Sequence, residues 1–428
     1  MEDCRHQLGR NLGRPNDVFH HTNLRAPDVN KYLCAPHRVG NRPRQSDEGS
    51  RSASCKVKGS MCDQLSQQPS HAEQARYVSG EGDSGSINNN SDCLLQPRGA
   101  LMARRQPESS FELLAETTRS GIVESQHYGA VVALNADGSI AFSVGNPEVI
   151  VYPRSSMKPL QATAMVDAGL NLPPKLLALV CASHDGRPEH LAAAREILHR
   201  AGLDESSLGN TLDYPLDDDE HERAIRDGKQ PSALQMNCSG KHSGMLATCV
   251  AAGWPSDTSY LSPEHPLQQH ITAMIPTLAA EPAAHIGVDG CGAPAHAMSL
   301  VGLARAFRTI ATAPRGSAAH LVAQAMTSHP EMVGGPTRDV TLLMQGVPGM
   351  VAKDGAEAVF AVGLADGRAV AIKVSDGANR ARPPVMHAAL ERLGVGLQKV
   401  DPATWDSPVK GHGRRVGLCV AAGPLVTS

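Results

Sequence analysis

The chain has 428 residues, a formal net charge of −3 at pH 7 and an isoelectric point near 6.7. This balance excludes a broad attraction to nucleic acid or to anionic lipid. No apolar run reaches about 18 residues, so no membrane-spanning helix is expected, and the first residues lack the apolar core of a secretory signal. We therefore expect a cytoplasmic protein with no nucleic-acid or membrane partner.

The first hundred residues differ in composition from the rest of the chain. Residues 1–108 are rich in Ser, Asn, Gln, Arg, Pro and Gly, and neither the helical nor the strand period persists in them. Such a segment buries too little apolar area to offset the entropy of ordering. We predict a disordered extension over residues 1–108, followed by one domain over residues 109–428. A regulatory arm, or a functional product that begins at Met102, are the alternatives.

Two β-hairpins are predicted near the two ends of this domain. Residues 130–134 and 140–144 are apolar runs joined through Asp137-Gly138, and residues 358–364 and 369–374 turn at Asp366-Gly367. A further short strand is expected near residues 416–420. Strands at both ends with helices between them predict an α/β fold in which the terminal strands share one antiparallel sheet.

Helices are predicted between the hairpins. One follows Lys158 and stops at Gly169, with Pro159 in its first turn. Residues 173–202 are predicted to form two helices around the loop 183–188. Residues 213–229 are acidic, and we expect them to be irregular and exposed. The remaining helical patterns between the hairpins cover residues 267–278, 296–311, 320–327 and 339–345, and one more, residues 384–393, follows the second hairpin.

Ser155 and Lys158 are the first candidate catalytic pair. A spacing of three residues places both side chains on one helical face, and a neutral lysine can take the proton of a serine. Penicillin-recognising serine enzymes carry their nucleophile at the same spacing. An exposed helix start is the alternative interpretation.

Two other segments contain candidates of the same kind. Ser183 is either a helix cap or a second proton-handling hydroxyl, and His184 beside it is a possible base. Lys353 is followed by Gly355 and leads into a strand, like the lysine of the Lys-Thr-Gly element in those serine enzymes. A solvated lysine in an exposed turn is the alternative for Lys353.

Ten cysteines are present, and a disulfide framework is not expected in a reducing compartment. Cys181 and Cys249 fall in apolar helical patterns and are predicted to be core residues. Cys238 and Cys291 lie in small, polar segments, residues 237–245 and 287–292. Two thiolates with one more ligand can hold zinc, but on spacing alone two cysteines 53 positions apart are better interpreted as buried thiols.

Together these segments resemble one family, the thermolabile, Rhizobium etli-type L-asparaginases, also called asparaginase II. The similarity extends over residues 112–394, and Asn-Cys-Ser-Gly-Lys-His followed by Gly-Met-Leu (from Asn237) is its most specific block. The matching segments are residues 117–125, 154–161, 182–186, 231–245, 289–294, 329–334, 352–357 and 371–378.

The resemblance implies a homodimeric hydrolase of L-asparagine with a fold related to serine β-lactamases and glutaminases. It implies two serine–lysine tandems, Ser155 with Lys158 and Ser183 with Lys353. It also implies zinc bound by Cys238, Lys241 and Cys291, with Asp289 close by. The implied substrate-binding residues are Arg154, His184, His242, Asp289 and Gly290.

The sequence departs from the family pattern at several positions. Arg187 stands where glutamate is usual, Met236 where asparagine is common, and Ala358 where glycine is common. Residues 209–215 replace a Cys-Gly-x-His-x-Pro segment. The alternatives are therefore a glutaminase or another serine acyl-transfer hydrolase, and a zinc- or amino-acid-binding homologue without turnover.

Overall fold

The computed structural model describes Pro107 and residues 110–426. The predicted extension, apart from Pro107, and the alternative start at Met102 lie outside the described residues. The strands are β1 (Glu112–Arg119), β2 (Ile122–Leu134), β3 (Ile140–Val144), β4 (Ile150–Val151), β5 (His285–Val288), β6 (Pro294–Ser299), β7 (Val351–Gly355), β8 (Val359–Gly363), β9 (Ala369–Val374), β10 (Pro408–Gly411) and β11 (Arg414–Ala421).

Eleven α-helices are present in the described part of the chain. They are α1 (Lys158–Asp167), α2 (Pro174–Val180), α3 (Pro188–Arg200), α4 (Asp218–Arg226), α5 (Ser239–Ala252), α6 (Pro266–Ala279), α7 (Leu300–Ala311), α8 (Ala318–Ser328), α9 (Pro330–Gly334), α10 (Asp339–Gly346) and α11 (Arg382–Arg392). None of these helices combines the length and the apolarity needed to cross a bilayer.

An antiparallel sheet of eight strands joins the two ends of the domain. Its order is β10-β11-β1-β2-β9-β8-β7, and β3 pairs with the far half of β2. The terminal strands meet where Ala115 of β1 pairs with Ala421 of β11. Both predicted hairpins are present, since Leu134 pairs with Ile140 and Gly363 with Ala369. The predicted α/β architecture is confirmed.

A helical region packs beside this sheet. Helices α7 and α11 contact the strands, while α1, α2, α5 and α8 pack mainly on other helices. A second sheet has three strands in the order β4-β6-β5, and its strand β4 shortly precedes α1 in the chain. Cys181 and Cys249 are fully buried in this core, as predicted.

Two of the sequence predictions for this region are wrong. Residues 213–229 are not irregular throughout, because they contain helix α4, which Asp217 caps. Acidic residues in its first turn and basic residues in its last turn also stabilise the helix dipole. Residues 296–299 belong to strand β6, and α7 begins only at Leu300, after the cap Ser299. A buried strand that runs directly into a helix gives one long apolar pattern.

The contact between α5 and α2 depends on a glycine. A Cβ atom at Gly240 would lie 2.4 Å from the Leu179 carbonyl oxygen and 2.6 Å from Leu179 Cγ. We expect Gly240→Ala to destabilise the fold by about 1–3 kcal/mol, because neither backbone can yield easily. Chemical denaturation measures this, with the exposed Ala251→Ser on the same helix as the control. Equal stability of the two variants would contradict the close packing.

Candidate active site

Ser155 lies in a 3-10 turn, Arg154–Met157, that runs directly into α1. Arg154 adopts a φ of 52°, a strained conformation for a residue other than glycine. The turn packs against strand β7, and a Cβ atom at Gly355 would lie 2.3 Å from the Pro153 carbonyl oxygen. Glycine at this position therefore lets the sheet approach the turn that carries Ser155.

Ser155 and Ser183 open onto one cavity of about 460 Å³. The hydroxyl of Ser155 forms no hydrogen bond with any described residue, whereas Ser183 is almost fully buried. The other lining residues are mostly charged or polar. They are Asp185, Leu216, Asp217, Asp218, Asn237, Arg338, Asp354, Gly355, Ala356, Asn379 and Arg382.

Lys158 contacts Ser183 rather than Ser155. Its Nζ lies 3.1 Å from Ser183 Oγ and donates a second hydrogen bond to the Ala182 carbonyl oxygen. The side chain is buried, with 1% of its surface exposed. The structure thus brings the predicted lysine into hydrogen-bond contact with the second predicted serine.

Lys353 is fully buried in β7, so it is not a solvated turn residue. Burial lowers the pKa of Lys353 to about 8, although Asp354 opposes this shift. Its Nζ hydrogen-bonds the carbonyl and carboxylate oxygens of Asp354 and not Ser183. The implied Ser183–Lys353 tandem is therefore not joined by a hydrogen bond here, and the catalytic role of Lys353 stays a prediction.

Asp354 is the centre of a buried ionic network. Besides Lys353, its carboxylate accepts hydrogen bonds from Arg338 and, at 3.1 Å, from Arg382. Burial alone would raise the pKa of Asp354, but these three cations hold it well below its ordinary value. Arg382 also pairs with Asp339 at 2.8 Å.

Asp185 lies in the loop after Ser183 and faces the same cavity. Only 1% of its surface is exposed, and Oδ2 accepts no hydrogen bond from the described residues. Burial raises the pKa of Asp185 from 3.8 to about 6. The charged groups around it are Arg338, Asp217 and Arg187.

This shift predicts a pH-dependent stability difference between the wild type and Asp185→Asn. Because the folded pKa is above the unfolded one, the stabilising contribution is complete below the unfolded value and lost as the pH rises through about 6. Between pH 4 and pH 7 the stability of Asp185→Asn should therefore rise by about 2 kcal/mol relative to that of the wild type. Denaturant titrations at both pH values measure this, and a constant difference would contradict it.

His184 lies behind the cavity wall and not in it. Gly186 N donates to Nδ1 at 3.1 Å, so Nε2 carries the proton and donates to Ser239 Oγ at 2.8 Å. Burial holds the pKa of His184 well below its ordinary value. The ring is therefore neutral, and its implied contact with substrate stays a prediction.

The structure brings Cys238, Lys241 and Cys291 together in one buried cluster. Lys241 Nζ lies 3.0 Å from Cys291 Sγ. Cys238 Sγ donates a hydrogen bond to Asn237 Oδ1 at 3.1 Å. Interaction with the neighbouring Cys238 and with the charge of Lys241 lowers the pKa of Cys291, while Cys291 and burial raise the pKa of Cys238. Burial would lower the pKa of Lys241, but the neighbouring sulfurs raise it. A thiolate, a thiol and an ammonium thus share this site.

Two sulfurs and an amine suit a thiophilic divalent ion, once the lysine has lost its proton. His242 beside them is fully buried, and its Nε2 has no hydrogen-bond partner among the described residues. Its Nδ1 contacts the Tyr260 hydroxyl at 2.7 Å. Within residues 110–426, no group of three or more His, Cys, Asp or Glu side chains is placed to bind a metal.

Arg154, Asp289 and Gly290 form a small unit near the turn that carries Ser155. Arg154 Nε donates to Asp289 Oδ1 at 2.8 Å, and the Gly290 N–H donates to the same oxygen at 2.8 Å. The structure thus joins three of the implied substrate-binding residues to one another.

The three single-residue departures from the family pattern have visible consequences. Arg187 pairs with Asp217 at 3.4 Å and lies 3.7 Å from Asp185. Met236 is buried, and its sulfur accepts from the Cys238 N–H. Ala358 has a φ of 52°, a conformation that glycine adopts with less strain.

Sequence reasoning missed Asp185, Arg338, Asp354 and Arg382 as cavity residues. Asp185 and Asp354 are neighbours of predicted site residues, so proximity to Ser183 and Lys353 was an available signal. Arg338 is the N-cap residue of α10 and Arg382 is the first residue of α11, and neither segment has a local chemical motif. No signal in a single sequence identifies them.

Residues 115–421 match the model of a protein family described as L-asparaginase II. No curated protein sequence matches the chain at a significant level.

Solved structures give more distant similarities. A β-lactamase from Mycobacterium bovis is 13% identical with a TM-score of 0.37, and the match covers 62% of this chain and 94% of that one. A protein described as a β-lactamase from Bacteroides dorei is 16% identical with a TM-score of 0.31 and coverage of 57% and 84%. A structure described as native Mglu is 16% identical with a TM-score of 0.36 and coverage of 64% and 66%. Similarities at this level carry no functional detail.

Proposed function

The chain belongs to the L-asparaginase II family, and on that premise we propose that it hydrolyses L-asparagine to L-aspartate and ammonia through a lysine-activated serine. The observation that carries the proposal is the contact of 3.1 Å between Lys158 Nζ and Ser183 Oγ at the wall of a cavity that also contains Ser155. A base in hydrogen-bond contact with a hydroxyl on the cavity wall can take the proton of a nucleophile through that hydroxyl.

Ser155 is the proposed nucleophile. It is the more accessible of the two serines, its hydroxyl has no partner among the described residues, and it follows a residue with a strained backbone. Strain of this kind is concentrated at functional sites. Ser183, which Lys158 contacts, is proposed to carry the proton between Ser155 and Lys158.

In the first half-reaction, Ser155 Oγ attacks the side-chain amide carbon of asparagine. Its proton passes through Ser183 to Lys158, which returns it to the leaving nitrogen as ammonia departs. In the second, water attacks the aspartyl ester while Lys158 accepts a proton through Ser183. The ester bond breaks, Ser155 regains its proton, and aspartate leaves.

The ionic network around Asp354 is proposed to position Lys353 beside this chemistry. Lys353 and its partner Asp354 lie on β7, against the turn that carries Ser155. A buried ammonium group at this place stabilises the negative charge that develops on the attacked carbonyl oxygen. The network thereby holds the charged group of Lys353 in place before the substrate binds.

Zinc is proposed to bind at Cys238, Lys241 and Cys291, whose buried sulfurs provide suitable ligands. Bound there, it would supply a Lewis acid that orients a polar group of the substrate. The unit of Arg154, Asp289 and Gly290 is proposed to hold the substrate on the side of Ser155.

Ammonia release by the purified full chain tests this function. L-asparagine, L-glutamine and a chromogenic β-lactam are compared at equal concentrations, with zinc content measured on the same sample. Faster ammonia release from asparagine supports the proposal, whereas faster release from glutamine identifies a glutaminase. Hydrolysis of the β-lactam alone, or binding of asparagine without ammonia, contradicts the proposal.

A further inference from the structure

Asp185 is a buried carboxylate that the chemistry above leaves without a role. It lines the cavity that contains Ser155 and Ser183, and Oδ2 accepts no hydrogen bond from the described residues. Its nearest cation is Arg187, whose Nε lies 3.7 Å away, beyond hydrogen-bond distance. Arg187 Nε likewise forms no hydrogen bond with the described residues, so the two groups face each other as charges without being hydrogen-bonded. A cation in the cavity can therefore compete with Arg187 for the carboxylate.

The backbone around Asp185 is built to accommodate this carboxylate. Gly335 has a φ of 82°, and a Cβ atom there would lie 1.7 Å from Asp185 Oδ2. Any side chain at position 335 would therefore displace the carboxylate. The Asp185 carbonyl oxygen also accepts a hydrogen bond from Asp217 N, which fixes the loop from its other side.

Carboxylates outnumber cations among the charged residues that line the cavity. The carboxylates are Asp185, Asp217, Asp218 and Asp354, and the cations are Arg338 and Arg382. Both arginines pair with Asp354, and the charge of Arg338 also acts on Asp185. The lining carboxylates therefore exceed the lining cations by two.

A free amino acid presents a cation, its α-ammonium group, to such a cavity. We propose that Asp185 binds the α-ammonium group of the substrate and so selects a free amino acid over an amide that lacks this group. The proposal rests on the proposed function and deepens it, because it assigns the residue that recognises the substrate class. Arg187, where the family commonly has glutamate, competes with the ammonium for Asp185.

The direct test compares two ligands that differ only in the ammonium group, L-aspartate and succinate. Their binding to the full chain is measured by titration calorimetry, for the wild type, Asp185→Asn and Asp219→Asn. Asp219 lies on α4, is exposed and does not line the cavity, so its variant removes the same charge elsewhere. Calorimetry needs no turnover.

We expect the wild type and Asp219→Asn to bind L-aspartate about tenfold or more tightly than succinate, because a hydrogen bond to a charged group contributes about this much to affinity. In Asp185→Asn the two ligands should bind within about twofold of each other. A wild type without preference, or Asp185→Asn with the preference of the wild type, would overturn the proposal.

A second variant serves as an independent check if Asp185→Asn fails to fold. Arg187→Gln removes the competing cation and should strengthen binding of L-aspartate about threefold or more, with succinate unchanged or weaker. Equal strengthening of both ligands would contradict the proposal. Ammonia assays on the same samples distinguish failure of this proposal from failure of the proposed function. A protein that prefers L-aspartate over succinate but releases no ammonia from L-asparagine contradicts only the proposed function. A protein that releases ammonia but binds both ligands equally contradicts only the role of Asp185.

Discussion

Ser155→Ala should lower kcat for ammonia release from L-asparagine by about a thousandfold or more, which is the usual loss when a nucleophile is removed. Ser183 and Lys158 would still be in contact, but no accessible hydroxyl would remain in the turn before α1 to form the ester. Binding of L-aspartate should change little, because the charged walls of the cavity are untouched. Steady-state ammonia release and calorimetry measure the two effects.

Ser156→Ala is the matched control for this variant. Ser156 is the next residue, but its hydroxyl is buried and donates to the Lys353 carbonyl oxygen at 2.9 Å. Its loss should lower stability by about 1 kcal/mol and kcat by less than about tenfold. A Ser155→Ala enzyme as active as the Ser156→Ala enzyme would exclude Ser155 as the nucleophile.

Asp354→Ala should destabilise the fold by about 3–5 kcal/mol, because it leaves buried cations without their counter-ion. Lys353 is fully buried, and Arg338 and Arg382 both donate to the lost carboxylate. The free energy of unfolding in denaturant measures the loss. Unlike Ser155→Ala, this variant is expected to weaken the fold and the site together.

An exposed ion pair provides the comparison for Asp354. Asp366 pairs with Arg368 at the tip of a hairpin, and its side chain is 51% exposed. Asp366→Ala should cost no more than about 1 kcal/mol. If Asp354→Ala lowered the free energy of unfolding as little as Asp366→Ala does, the ionic network would not stabilise the site.

The sequence predicted the elements that local chemistry determines. Asp-Gly turns between apolar runs predicted both hairpins, and the proline after Lys158 predicted that Ser155 lies at the N-terminus of a helix. Strand β1 and the sheet of β4, β5 and β6 were not predicted. These strands are short or mixed in polarity, and pairing with distant segments determines their conformation.

The candidate site was predictable in its residues but not in their contacts. Lys158 and Ser155 are close in sequence, yet Lys158 meets Ser183, because the loop after α2 returns to the first turn of α1. The local pattern around Lys353 also fitted a solvated lysine in an exposed turn, but the paired strands around β7 bury it. The contacts and the burial of these two lysines depend on tertiary packing, which a local sequence motif does not reveal.

Trapping the covalent intermediate tests the central claim most directly. The full chain is mixed with L-asparagine, quenched in acid during turnover and digested, and the peptides are examined by mass spectrometry. An aspartyl ester on Ser155, present in the wild type and lost in Ser155→Ala, is the predicted result. An ester on Ser183, or turnover with no ester on either serine while ammonia accumulates, would contradict it.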